Sequence, residues 1–573
     1  MDRKKYKKKR TVIDKVILLK KNSIVMGGHL SHLEREEHPE KLDASCGPIR
    51  GNIYRHADKI VDGYLGIRYA QPPIGELRFK KPVPVDVWSD TKDCTKYGPR
   101  CPQSGAFPEM INFQKEDIPD EANCLTLNVF APRWKSEEFG NKRPVMVYVH
   151  GGGFELSASR DYCDYSVSGA LPLKDVVMVT VNYRVGILGF FSTGDQVCPG
   201  NFGLWDQTLA LKWVQKHIAS FGGDPNNVTV LGQSAGGVSV DLLSLSPHSR
   251  DLFQKVIPMS GNALCEFACR NSKNQAKACL EYIRHIGYTG SNDSQEILNW
   301  LKNKPIEEID KMRGFELPVT GYFIYQPNLD GDFLPKPLDE LRKEAPQKSM
   351  MVGVAEHEGL FFSLTGDSRP AKEILKDMIE ISYKRDTGEK CEETRKKVYD
   401  YYTKGVDEGD ETKMKERLVD FLGDSIFNGG AISTAQASLK YGNNVWFYVF
   451  DYVNPSGFGD LAQIMPFVAP THCTDLRYIL GEGLYSPFKP DETDWKMIDK
   501  MTTMYSNFAK YGNPNGKGSA EWEPYSLDHP ERHYRIAYPV GEMREEYHKG
   551  RWKFLKEIRD NNKILEEVVY GRV

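Results

Sequence analysis

A chain of 573 residues, 40 % hydrophobic and 27 % charged, has ample apolar material for a large core. Its formal net charge of −3 argues against a nucleic-acid binder over the body of the chain, and no run of 18 apolar residues offers a membrane span. Cys265, Cys269 and Cys279 lack a neighbouring His or a fourth Cys at zinc spacing, so no metal site is expected there.

The first 22 residues hold ten basic side chains against two acidic ones, a local net charge of +8. Residues 1–45 therefore read as a solvated, mobile tail. Val16-Ile17-Leu18-Leu19 is too short, and too enclosed by lysine, for the apolar region of a signal peptide. The expected compartment is the cytoplasm, or the exterior if the true start differs. Eleven cysteines, an odd number, fit a reducing compartment in which most stay thiols.

Residues 51–58 open the compact region, and Gly66 to Phe79 reads as a turn-rich, ordered loop following a strand. Cys101 to Cys124 encloses Pro102, Pro108 and Pro119 and reads as a surface loop, after which Leu125 to Val129 alternates like a strand. Val145 to Val149 is a buried strand running into His150-Gly151-Gly152-Gly153-Phe154. Three consecutive glycines let the backbone approach a ligand and turn its N–H groups inward, as an anion-stabilising loop needs. Val176 to Tyr183 is a further strand, and Leu204, Leu211, Val214 and Ile218 mark one side of a helix that Gly222-Gly223-Asp224-Pro225 ends. Strands alternating with helices from about residue 145 to 260 predict a mainly parallel α/β sheet.

The centre of the chain is Gly232-Gln233-Ser234-Ala235-Gly236, between the strand Val228 to Leu231 and a helix. This G-x-S-x-G places a serine on a turn too tight for side chains two residues either side. A serine hydroxyl needs a general base, itself oriented by an acid. The apolar run Met350 to Val354 leads to Glu356-His357-Glu358-Gly359, so either Glu356 or Glu358 is placed for the acid, whereas His357 reads as a surface histidine. Among 13 histidines, His472 stands in a loop between the strand Val445 to Tyr452 and a helix-like run.

These blocks carry a resemblance. From about residue 50 to 545 the chain resembles the type-B carboxylesterase and cholinesterase family of α/β-hydrolases. The matching stretches are Gly66 to Phe79, Cys124 to Val129, His150 to Phe154, Asn182 to Gly186, Gly200 to Gln207 and Phe221 to Gly237. The resemblance implies an α/β-hydrolase fold, a large mainly parallel central sheet flanked by helices with loop and helix insertions. It implies one catalytic domain over residues 46–550 and a C-terminal helix over 551–573. Ser234 would be the nucleophile, Glu358 the acid and His472 the base, with Gly152, Gly153 and Ala235 as the oxyanion donors. Cys101 and Cys124 match the family's first disulfide, although a cytoplasmic protein would keep both as thiols.

The implied activity is hydrolysis of uncharged carboxylic esters by a serine carboxylesterase, acting on small molecules with no cofactor. Two alternatives stand beside it: a non-catalytic, cholinesterase-like interaction protein, and an esterase narrowed to one hormone-like ester. The family's second disulfide loop has no clear match here. Gln233 stands where many members carry Glu, as in some insect and nematode esterases, and the Cys101–Cys124 loop holds Phe107 and Phe113 but no tryptophan.

Overall fold

The computed structural model describes residues 35–104, 118–311, 323–364, 369–383, 391–481, 488–518, 520–560 and 567–569. The basic segment of residues 1–22, together with Phe107 and Phe113, lies outside the described residues. Twelve strands form one sheet: β1 Arg35–Glu37, β2 Asn52–His56, β3 Lys59–Arg68, β4 Thr126–Pro132, β5 Arg143–Val149, β6 Val177–Val181, β7 Gly223–Gln233, β8 Lys255–Met259, β9 Ser349–Ala355, β10 Asn444–Phe450, β11 His533–Ile536 and β12 Glu542–Arg544. Their spatial order is β1-β2-β3-β4-β6-β5-β7-β8-β9-β10-β11-β12.

From β6 across to β11 every neighbouring pair is parallel, while β1 to β4 and β12 add antiparallel margins. This is the expected α/β-hydrolase architecture. β1 lies inside the stretch expected as a tail: it pairs with β2 through Arg35↔Tyr54, and the Arg35 guanidinium meets Asp164 at 2.8 Å.

The strands explain themselves by their two faces. In β5, Val145, Val147 and Val149 enter one apolar cluster while Met146 and Tyr148 enter another. In β10, Val445, Phe447 and Val449 go to the first cluster, and Trp446, Tyr448 and Phe450 to the second. Side chains alternate along a strand, so covering both faces demands an unbroken apolar run. The stretch read as alternating at Leu125 to Val129 follows the same rule, because every residue of β4 is buried between β3 and β6.

Helices supply the covering layers. Phe202–His217 gives Leu204, Leu211 and Val214 to the first cluster, with a 3-10 turn Ile218–Phe221 continuing it to Gly222 at φ +76°. On the other face Glu492–Tyr511 contributes Met497, Met501, Tyr505 and Phe508, a helical spacing. Its start is fixed by Asp491 and Asp494, each side chain accepting from the other's backbone N–H. Among the described residues, no helix is long and apolar enough to cross a membrane.

The topology also chooses a site. The chain leaves β5 outward to β6, then returns to β7 on the opposite side of β5 and continues through β8. The reversal lies between β5 and β7. Open parallel sheets bind ligands outside the strand carboxyl ends at such a point. Here those ends are the triple-glycine loop and the G-x-S-x-G turn.

Candidate active site

Ser234 follows β7 directly and opens the helix Ala235–Leu245, with φ +59° and ψ −127°. A non-glycine residue in this region is strained and must be held by its surroundings. Its N–H donates to Met259 O at 2.9 Å, and its own carbonyl accepts from Val238 N at 3.0 Å. The flanking glycines are required by contact. A Cβ on Gly232 would lie 2.3 Å from Gly236 O, and one on Gly236 would lie 2.1 Å from Val149 O. Ser234 keeps 8 % exposure, enough to be reached.

The glycine loop packs against this turn. A Cβ on Gly151 would stand 2.6 Å from Gln233 O and 3.0 Å from Ser234 Cβ. Gly152 and Gly153 adopt φ +105° and +64°, and Gly152 O accepts from Glu155 N and Leu156 N at 3.0 and 3.1 Å. Among the described residues no protein acceptor takes the N–H of Gly152, Gly153 or Ala235. His150 anchors the loop: its ring stacks on Tyr183 at 4.3 Å, and Tyr183 Oη donates to His150 O at 2.7 Å. Burial lowers the His150 pKa to about 4, keeping the ring neutral. Burial also pushes the Glu155 carboxyl up to about 7, which weakens the negative charge it would otherwise set beside the loop.

Glu358 and His472 come from the loops after β9 and β10. Glu358 is fully buried; Oε1 accepts from Ala355 N at 2.6 Å, and Oε2 accepts from His472 Nδ1 at 2.7 Å. The carboxylate only accepts, so Nδ1 carries a proton, and in the neutral ring Nε2 carries the lone pair, toward which the Gln233 amide nitrogen stands at 3.2 Å. Gly359 allows this placement: a Cβ there would lie 2.1 Å from Val419 O. The His472 loop is tied down by Thr474 Oγ1 donating to Thr471 O at 2.6 Å and by Phe361 N donating to Thr471 Oγ1 at 3.0 Å. Burial opposes an imidazolium at His472, but Cys473 and Glu358 outweigh it and hold the pKa above 6.5.

Of the two carboxylates, Glu358 is the one hydrogen-bonded to His472. Glu356 faces Asp451 and Arg551 rather than His472, and burial first, then Asp451, pushes its carboxyl up to about 7. His357 is half-buried rather than on the surface, its ring edge-on to Phe467 at 5.2 Å. Cys101 and Cys124 form a disulfide, with Cα atoms 4.9 Å apart, in place of the free thiols expected from compartment.

Further side chains close around the imidazole, Phe361 and Phe362 where the resemblance to cholinesterases implies an aromatic pair after Glu358, and Phe427 with no signal in the sequence. Gln233 Nε2 lies 3.2 Å from His472 Nε2, which brings the turn bearing Ser234 to the imidazole. Phe427 packs its ring 4.4 Å from His472, carried by a π-helical turn, Asp424–Asn428. Such turns are rare and mark functional sites often enough to be noted. Phe362 at 5.2 Å and Phe361 at 6.2 Å complete an aromatic wall, and a Cβ on Gly153 would stand 2.6 Å from Phe323. The arrangement joins a strained serine, a buried carboxylate–imidazole pair and open N–H groups beside aromatic rings.

Comparison with known proteins gives the chain a family. Residues 38–555 match the model of the carboxylesterase family. Esterase cest-33 of Caenorhabditis elegans is 58 % identical over 550 residues, covering 96 % of this chain and 99 % of that protein. The medium-chain fatty acyl-CoA hydrolase precursor of Anas platyrhynchos is 31 % identical, covering 88 % and 89 %. The juvenile hormone esterase of Tribolium castaneum is 32 % identical, covering 85 % and 86 %.

Proposed function

Because the chain belongs to the carboxylesterase family, a family of carboxylic ester hydrolases, we propose that it cleaves uncharged esters by two-step acyl transfer on Ser234. His472 Nε2 takes the hydroxyl proton as Ser234 Oγ attacks the ester carbonyl, and Glu358 steadies the imidazolium. The N–H groups of Gly152, Gly153 and Ala235 receive the oxyanion, Ala235 at the positive end of its helix. Collapse of the tetrahedral species breaks the C–O bond, and His472 returns its proton to the departing alcohol. Water, activated by the same histidine, then hydrolyses the acyl-enzyme.

The observation that carries this reading is the 2.7 Å Glu358–His472 pair, brought beside Ser234 by the 3.2 Å approach of Gln233 to His472. It weighs against a non-catalytic interaction protein, which would have no use for a strained serine next in sequence to the residue that meets a carboxylate-paired imidazole. The fatty acyl-CoA hydrolase and the juvenile hormone esterase are equally distant relatives of different stated substrate, so neither narrows the ester. The aromatic wall supports apolar acyl or alcohol groups. The test is turnover of 4-nitrophenyl butyrate by the purified protein beside Ser234→Ala, with fluorophosphonate labelling of each. Labelling of Ser234 alone supports the assignment; equal labelling of both proteins overturns it.

A further inference from the structure

Ester hydrolysis leaves one nucleophile of this site unused. Cys473 follows His472 directly, donates from Sγ to Gln233 Oε1 at 3.1 Å, and lies within hydrogen-bonding reach of the imidazole. The other arm of the same amide, Nε2, meets His472 Nε2 at 3.2 Å. Thiol, amide and imidazole thus form a closed cluster beside Ser234. The Cys473 backbone has φ +67°, a conformation in which glycine is the default, so the turn itself calls for no side chain.

The remaining thiols are placed differently. Of the eight free cysteines described, six are buried and only Cys163 and Cys473 keep partial exposure. Burial pushes the Cys46 thiol up to about 11 and the Cys94 thiol up to about 12, which leaves them inert. A partly exposed thiol touching an imidazole is, by contrast, the ordinary setting of a nucleophilic cysteine.

We propose that Cys473 is a modification site, at which soft electrophiles of the α,β-unsaturated carbonyl class alkylate the thiol and stop ester turnover. The Cys473 proton passes to His472, and Sγ attacks the β-carbon of the electrophile. A C–S bond forms, the C=C π pair moves toward the carbonyl, and the α-carbon regains the proton from His472. No oxidant or further reactant is needed. The adduct remains against Gln233 and His472, where it blocks the approach of an ester to Ser234. The alkylation stands on the cluster alone; its effect on turnover rests on the acyl-transfer reading above.

The experiment treats the full-length protein with N-ethylmaleimide, following ester turnover and peptide masses on the same samples. Cys473 should gain one reagent mass before any buried cysteine, with turnover falling in step. Cys473→Gly and Cys473→Ser, each scaled to its own untreated activity, should be inactivated at least about ten-fold more slowly, and Cys163→Ser as fast as the parent protein. The proposal falls if Cys473 stays unmodified while activity is lost, if it is fully alkylated with activity intact, or if its variants are inactivated at the parent rate. Should a variant not fold, the mass and activity courses of the parent protein still decide. Failure of the acyl-transfer reading shows differently, as the absence of turnover before any reagent is added.

Discussion

The candidate active site has two halves built by different means. On the serine half the contacts are backbone on backbone: Gly236 against Val149 O, Gly232 against Gly236 O, Gly151 against Gln233 O. On the histidine half they are side chain on side chain: Glu358 with His472 across 114 positions, Gln233 with His472 across 239, and Phe427 ring to ring. The serine half is fixed by glycines in two short segments, at the ends of the adjacent strands β5 and β7. The histidine half exists only after the whole sheet has formed. The first should therefore tolerate almost no added atom yet be indifferent to what Ser234 carries, and the second should bend to substitution while its chemistry changes.

The sharpest test of the serine half separates its scaffold from its chemistry. Ser234→Ala removes the hydroxyl and leaves the turn, so kcat should fall on the order of 10⁶ with thermal stability unchanged. A residual rate near that of the parent protein would mean that another residue is the nucleophile. On the histidine half, Glu358→Gln should cost on the order of 10⁴ in kcat, whereas Glu356→Gln, facing Asp451 and Arg551, should turn over near the parent rate. A pH profile adds a sign. In the proposed mechanism His472 serves as a base only when neutral, so turnover should rise as pH passes through its pKa. Glu358 raises that pKa, so its charge removal should move the acid limb to lower pH.

Stability tests the contrast directly. A methyl on Gly236 would stand 2.1 Å from a backbone carbonyl that cannot move without parting β5 from β7. Gly236→Ala should destabilise the protein by at least about 4 kcal/mol, or prevent folding outright. Phe427→Leu, in the other half, should cost only about 1 to 1.5 kcal/mol by denaturant unfolding, because the wall around it consists of side chains that can repack. Equal losses in the two variants would erase the distinction.

The same difference explains what could be read from the chain. Val145 to Val149 and the elbow strand were legible because parallel strands covered on both faces have no polar side to show. The serine and its glycines were legible because the constraint is local. From spacing alone, His472 was one of 13 histidines and Glu356 stood level with Glu358, since no periodicity records which loops meet above β9 and β10. Only the family resemblance chose between them. Gln233's contact with His472, the π-helical turn under Phe427 and the thiol of Cys473 had no local signature at all. The ordered start at Arg35 was hidden by charge, because an edge strand held by Arg35 and Asp164 looks in sequence like the end of a basic tail.

The smallest effect expected concerns substrate charge, and it turns on the histidine half. Binding a quaternary ammonium calls for an aromatic face, tryptophan above all, with negative charge nearby. The faces around His472 are Phe361, Phe362 and Phe427. The nearest carboxylate, Glu358, is buried and already paired with the imidazole. Asp475 is buried too, and burial first, then the charge of Glu358, pushes its carboxyl up to about 7. Gln233, next to the serine, is neutral. A choline ester should therefore gain nothing from its charge and lose some hydration on entry. Butyrylcholine and its uncharged isostere 3,3-dimethylbutyl butyrate separate charge from shape, and kcat/KM should favour the neutral ester. The missing cation–π face amounts to up to about 2 kcal/mol, roughly thirty-fold in affinity. Gln233→Glu should narrow the gap by restoring negative charge at a position that touches both the imidazole and Cys473. Equal or better turnover of butyrylcholine by the unmodified protein would reveal a cation site elsewhere around Ser234, and would show that side chains beyond the His472 wall help to set what this half of the site accepts.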